Sequence, residues 1–477
     1  MSHAGNGTMN VAFPMERSER TGSEDRRRKL FADPTDVVLY LAFLMLPVDG
    51  TIYGFSMMYW TPIAPILFGA YALLNVWSLP KTVARYGTLL AFPVICVLVS
   101  VFGWLTIGFH TNTAVRTLVA LATGISCLIS LDVAFRIKRL SISAAVTVIA
   151  VAYWLSFGVG VLQFVIMHTG DQTIIRFFQF KMERSYVPHH IQFLFAEPSY
   201  IGMHLFGVLM PICWLTKRKD VLVLILVYAF GAAAMGAGVR ILIDTVVAFV
   251  LWIAVVVDFR HKRNRAIAAA GFAAVCVGGA VVLLRNARVQ SLLQNGVLTG
   301  DASAFARLFR SLAPIEAWLA DPLHMLFGFG AGNLKDAIAR GYDAASSVIM
   351  ALGVNPQDSY EIRLLGSIHE DHYIFTMNAY VDFITEFGLV LFIAAIVLIV
   401  MHINRNHAWN RMTICWFLLL IYLYIQFEGY AFYALWMFLW FTGLNPNRQG
   451  TTGQGRVREK REVFARGRHR SGRKSVR

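Results

Sequence analysis

Three groups in this chain have the residue types and placement for acid–base or anion chemistry. Glu197, in FAEPSYIG, precedes a proline suited to the first position of a helix, so its carboxylate stands at a helix start. The helix dipole lowers a carboxyl pKa there, whereas burial at a membrane boundary raises it; only the second effect suits a general base. His369 and His372, in IHEDHY, are three residues apart. On a helix that spacing offers two metal ligands without an identifiable third, so we expect no metal and read the rings as a general base or as hydrogen-bonding groups near a phosphate. Arg240, in AMGAGVRILIDTVV, opens an apolar run. It has two readings: an intrahelical pair with Asp244 four residues on, or anion capture where guanidinium and helix N-terminus act together. We favour the anion. Asn378, Asp382 and Glu386 recur every four residues as one polar stripe, which must face protein or a water-filled cavity. Asp49, in LPVDG, lies in the first outer loop, where it could serve as a catalytic acid; no DxD occurs, and an Asp-Gly turn explains it as well.

The elements that position these groups are membrane helices. Of 477 residues 57% are apolar and 15% charged, against roughly 45–50% and 25% in soluble proteins. With a mean hydropathy of +0.57, the chain reads as an all-α polytopic membrane protein. Apolar runs at 36–54, 58–77, 87–108, 114–134, 142–167, 199–216, 221–238, 241–257, 266–284, 376–401, 412–427 and 430–444 predict about twelve transmembrane helices. The last two are separated near Glu428 and Gly429. The polar tail 1–35 shows no cleavable signal and is expected in the cytoplasm. Helices one to nine occupy 36–284, with an external loop 168–198; a large periplasmic loop, 285–373, precedes helices ten to twelve at 374–444; the basic tail 445–477 is expected to be disordered.

Threading the runs alternately explains most of the +15 net charge without a nucleic-acid partner. Both tails and every short basic loop fall on one side, as the positive-inside rule requires, where they face the anionic lipids of the cytoplasmic leaflet. The other side carries Arg116, Arg176, Lys181, Arg184, Arg240, Arg285, Arg288, Arg307, Arg310, Lys335, Arg340 and Arg363. Long external loops escape the positive-inside rule, which is one explanation. The bias to arginine supplies another, because a guanidinium fork matches phosphate oxygens where an ammonium acts as a point charge. The five cysteines all lie in membrane runs and form no CxxC pair. Within 285–373 an amphipathic helix is predicted over 302–319, ended by Asp321-Pro322. The Gly-rich GFGAGN follows as a close-packing turn or hinge, then another helix over about 334–345.

In their order and placement, FAEPSYIG opening a helix, AMGAGVR before helix eight, the long loop with GFGAGN, and NAYVDFITEFG entering helix ten resemble Wzy-type polysaccharide polymerases, relatives of the O-antigen ligases. The ligase branch carries a His before the residue matched by Asn378, with Gly388 at the matching distance; here Met377 stands in its place. The Glu-Pro-Ser motif resembles exopolysaccharide and capsule polymerases. The resemblance implies a GT-C-like fold in the bacterial inner membrane with both termini cytoplasmic. It also implies metal-independent glycosyl transfer, without a cofactor, between undecaprenyl-diphosphate-linked repeat units on the periplasmic face. Arg240, Arg307 and Arg310 would stabilise the diphosphate leaving group, with Arg116, Arg176, Arg184, His369 and Asn378 as further diphosphate or glycan contacts. Glu197 or His372 would take the proton of the attacking sugar hydroxyl, and Tyr186 and Tyr373 would stack on sugars. A chain-length regulator and a flippase would be partners. Two alternatives stay open: a ligase using lipid A core as acceptor, and a transporter or lipid flippase. Against the latter, no half-to-half repeat is seen and the polar candidates cluster at one face.

Overall fold

A computed structural model of the chain describes residues 29–54, 60–170, 173, 176, 191–257, 259–285, 287–367, 374–427 and 429–444. Among them no strand occurs, only two isolated backbone bridges. In order the helices are α1 (Asp36–Leu44), α2 (Ala64–Leu74), α3 (Leu79–Thr106), α4 (Thr111–Asp132), α5 (Ile142–Thr169), α6 (Pro198–Thr216), α7 (Lys219–Ala234), α8 (Val239–Val256) and α9 (Lys262–Arg285). They continue as α10 (Ala287–Gly300), α11 (Ala302–Ala320), α12 (Pro322–Phe327), α13 (Leu334–Ala351), α14 (Tyr360–Ser367), α15 (Ala379–Arg405), α16 (Arg411–Tyr424) and α17 (Tyr433–Gly443).

The protein is a membrane-embedded helical bundle. A helix stands at each apolar run, but seven are long and apolar enough to cross a membrane: α3, α4, α5, α6, α8, α9 and α15. The remaining five (α1, α2, α7, α16 and α17) hold 9, 11, 16, 14 and 11 residues, against about 20 for a full crossing. Apolar runs outlast their helices where the chain turns inside them: the first is helical only to Leu44, before the turn over Met45–Val48 that holds Pro47. The final stretch is two helices, the chain leaving helix after Tyr424 and resuming at Tyr433.

Capping residues set the boundaries that matter for the site. Ser141, Asp301, Asn378 and Asn410 each accept a first-turn N–H through the side chain, satisfying donors a helix start leaves unpaired. The α6 window is 89% buried and that of α9 is 6% buried. Helix α6 is therefore the centre of the bundle and α9 lies at its edge.

The end of the bundle away from the 285–373 segment is held by paired charges. Lys138 bonds Asp33 at 2.7 Å and Asp36 at 2.8 Å, Arg136 bonds Asp132 at 2.5 Å, and Arg85 donates to the Gly443 carbonyl. These cations, expected at the lipid headgroups, also pin helices to one another.

Residues 287–367 form a small helical unit with its own core of Phe305, Phe309, Leu334, Ile338, Ile349 and Ile362. Amphipathic α11 packs along α13, where Gly341 allows contact with the Ala313 carbonyl. The Gly-rich turn packs closely, as one of its two readings expected. Helix α15 breaks at Gly388 (φ 85°, ψ 160°), which leaves carbonyls of the preceding turn without helical donors. Those of Thr385 and Glu386 accept instead from Phe329 N–H (2.7 Å) and Gly330 N–H (3.0 Å).

Candidate functional site

The N-terminal approach to α6 is clamped from two sides. Phe193 has φ 58°, a left-handed conformation that costs a non-glycine residue about 1–2 kcal/mol. The Gln163 amide on α5 holds it there, accepting from Phe193 N–H at 2.8 Å and donating to Phe193 O at 2.7 Å. From the other side Asp49 and Gly50 both donate backbone N–H groups to Leu194 O at 3.1 Å. Glu197 then sits extended before Pro198, and its carboxylate accepts from Arg307 Nη2 of α11 at 2.9 Å. The ion pair joins the centre of the bundle to the 287–367 unit.

Arg240 lies in the first turn of α8, after Gly238. Of the two readings, the geometry shows the intrahelical pair. Its Nε faces Asp244 Oδ2 at 3.6 Å, and its Nη1 donates to the Gln426 carbonyl, between α16 and α17, at 2.7 Å. Tyr422 donates to the other Asp244 oxygen at 2.7 Å. Gly202 of α6 makes this approach possible, since a Cβ there would lie 1.9 Å from Asp244 Oδ2. Two ion pairs thus flank the start of α6, Arg240–Asp244 on α8, which Gly202 admits against α6, and Glu197–Arg307 reaching to α11. Arg240 Nε and Asp244 Oδ2 have only each other, and the Ser199 hydroxyl of the Glu-Pro-Ser motif is buried without a hydrogen bond among the described residues.

The other expected site residues are placed differently. Arg310 is buried, its guanidinium over the Phe375 ring at 4.3 Å and donating to Phe375 O at 3.3 Å, so it anchors the segment entering α15. Asn378 Oδ1 caps α15 by accepting from Tyr380 and Val381 N–H, which engages that oxygen in fold rather than ligand. Met377, where the ligases carry His, has φ 64° and is buried. Arg176 is exposed. Arg116 lines a small cavity with Lys335, Gly332, Ile374 and Glu386, a lining that includes none of Glu197, Arg240 and Arg307. Arg184, Tyr186, His369, His372 and Tyr373 lie outside the described residues. Among those described, no three His, Cys, Asp or Glu side chains are grouped to hold a metal, and the cysteines are free.

The polar stripe of α15 faces protein. Asp382 accepts from Thr376 at 2.6 Å. Glu386, fully buried, accepts from Thr117 (2.9 Å), Gly332 N–H (2.8 Å) and Tyr430 (2.8 Å), tying α4, the Gly-rich turn and the α16–α17 connection together.

Residues missed from sequence are His204, Gln163 and Tyr422, and Asp49 was given too little weight. An Asp-Gly turn does not account for it: its buried carboxylate accepts from Trp60 Nε1 (2.8 Å), Ala196 N–H (2.9 Å) and His204 Nε2 (2.7 Å). Polar residues inside apolar runs were the available signal, and His204 and Gln163 carry it. Compared with family models, curated proteins and solved structures, the chain shows no match.

Proposed function

We propose that the chain polymerises lipid-linked oligosaccharides. It would transfer a growing glycan from an undecaprenyl-diphosphate carrier to the terminal sugar of another lipid-linked repeat, on the periplasmic face of a bacterial inner membrane. On this reading the chain crosses twelve times in a GT-C-like arrangement, both termini are cytoplasmic, and a chain-length regulator and a flippase work beside it. The observation that carries the reading is the pairing of Arg240 and Arg307 with Asp244 and Glu197 at the junction of bundle and loop unit.

A sugar hydroxyl attacks the anomeric carbon, the bond from that carbon to phosphate oxygen breaks, and the hydroxyl proton passes to a base. The diphosphate leaves with growing negative charge, which fixed guanidinium groups stabilise more than they stabilise the bound substrate. Arg240 and Arg307 supply that charge, and in the resting protein the carboxylates hold them in place. Phosphate oxygens competing for Arg307 would weaken its ion pair with Glu197 and raise the affinity of this carboxylate for the proton.

Reconstitution with a defined undecaprenyl-diphosphate repeat, read by mass, tests the proposal. Stepwise growth by whole repeats is the expected result. No product until lipid A core is added would replace it with ligation, and no product with either acceptor would remove it.

A further inference from the structure

We propose that Asp49 and His204 are positioning residues for Glu197: a buried hydrogen-bonded chain, Tyr153–His204–Asp49, sets the backbone from which the Glu197 carboxylate projects. The inference rests on the glycosyl-transfer reading for its catalytic consequence, though its structural part stands apart from it.

Asp49 and His204 are both 0% exposed. One Asp49 oxygen receives Trp60 Nε1–H and His204 Nε2; the other receives the N–H of Ala196, the residue before Glu197. A carboxylate only accepts, so His204 donates from Nε2 to Asp49, while Nδ1 lies 2.8 Å from Tyr153 OH; each polar atom of the chain has a partner. Gly50 strengthens the clamp, for a Cβ there would lie 2.3 Å from the Phe195 carbonyl carbon. The ring of His204 is packed by Phe195, Phe432 and Tyr433. Glu197 is the next residue after this clamp and reaches across to Arg307 of another unit. A shift in its backbone therefore moves the carboxylate relative to both arginines.

A charged chain this deep has two roles open to it, holding or passing protons, and His204→Gln separates them. Its amide N–H can still donate to Asp49 but cannot shuttle a proton. Asp49→Asn, His204→Leu and His204→Gln would be compared in nanodiscs by kcat and KM with the lipid-diphosphate repeat, and by amide hydrogen exchange over residues 194–200. Positioning predicts that Asp49→Asn and His204→Leu lower kcat by roughly 100-fold, as expected when a catalytic group is displaced by about 1 Å. KM should change by less than about threefold, because the substrate's contacts are elsewhere. Exchange should rise in 194–200 and stay unchanged in α13, while His204→Gln keeps both readouts near wild type. Loss of kcat in His204→Gln equal to that in His204→Leu would overturn positioning, as would unchanged exchange in 194–200 for Asp49→Asn and His204→Leu. If the wild-type protein elongates nothing, the functional reading fails, and the exchange data alone decide whether this chain sets the Glu197 backbone.

Discussion

Arg240 has a structural partner and a proposed chemical task, and a pair of substitutions separates them. Its Nε lies 3.6 Å from Asp244 Oδ2, with 11% and 2% of the two side chains exposed. At an effective dielectric of about 20, unit charges at that distance attract by about 4–5 kcal/mol, before desolvation is subtracted. Arg240→Ala leaves Asp244 buried with Tyr422 as its remaining hydrogen-bond donor, and stranding a buried charge costs about 3–5 kcal/mol. Asp244→Asn costs less, about 1–2 kcal/mol, because the amide can still accept from Tyr422 and Arg240 keeps the Gln426 carbonyl. In the double variant no charge is stranded, so its loss should also be about 1–2 kcal/mol, a coupling of about 3–5 kcal/mol between the sites. Stability would be read by steric trapping in bicelles and polymer yield by mass in the reconstituted reaction. Both variants lacking Arg240 should fall in kcat by about 10²–10³-fold, the loss typical of one transition-state donor. A double variant that regains stability and also polymerises at the wild-type rate would show that Arg240 only neutralises Asp244, and the proposed role would be withdrawn.

Further expectations concern the fold around the site. Glu386→Ala should destabilise by about 3–5 kcal/mol, since Gly332 N–H and two hydroxyls lose their acceptor; Glu386→Gln should cost about 1–2 kcal/mol in the same assay, retaining one carbonyl oxygen. Equal losses would contradict the hydrogen-bond assignment. Gly388→Ala places a Cβ 2.3 Å from Leu326 O at φ 85°, so a loss of at least about 3 kcal/mol is expected and an unaffected variant would contradict the break. At Asp321, burial raises the carboxyl pKa, but hydrogen bonds from the His324 ring and backbone, with the His324 and Arg340 charges, outweigh it and hold the group below the usual carboxylate range. A lowered folded pKa stabilises above the unfolded value and is lost as pH falls through the folded one. Hydrogen exchange in α12 should therefore rise on acidification below about pH 4, and Asp321→Asn should remove that dependence.

Composition and hydropathy alone determined that the chain is helical and membrane-embedded, and where each helix of the bundle begins or ends to within its apolar run, because apolar length is local; α10, α12 and α14 were not foreseen. They also located the unit within 285–373, its amphipathic helix and its close-packed glycines. How much of each apolar run is helical was not legible: the Met45–Val48 turn with Pro47 shortens a helix without changing the hydropathy of its run. Nor was the division of the arginines. Arg307 and Arg310 are three apart on one helix, yet one meets Glu197 and the other is buried on Phe375. That choice depends on which neighbour covers each face of α11. Asp49 shows the same limit most clearly. Its local sequence specifies a turn, while its three donors come from positions 60, 196 and 204, and only packing α6 into the centre of the bundle brings them to one carboxylate.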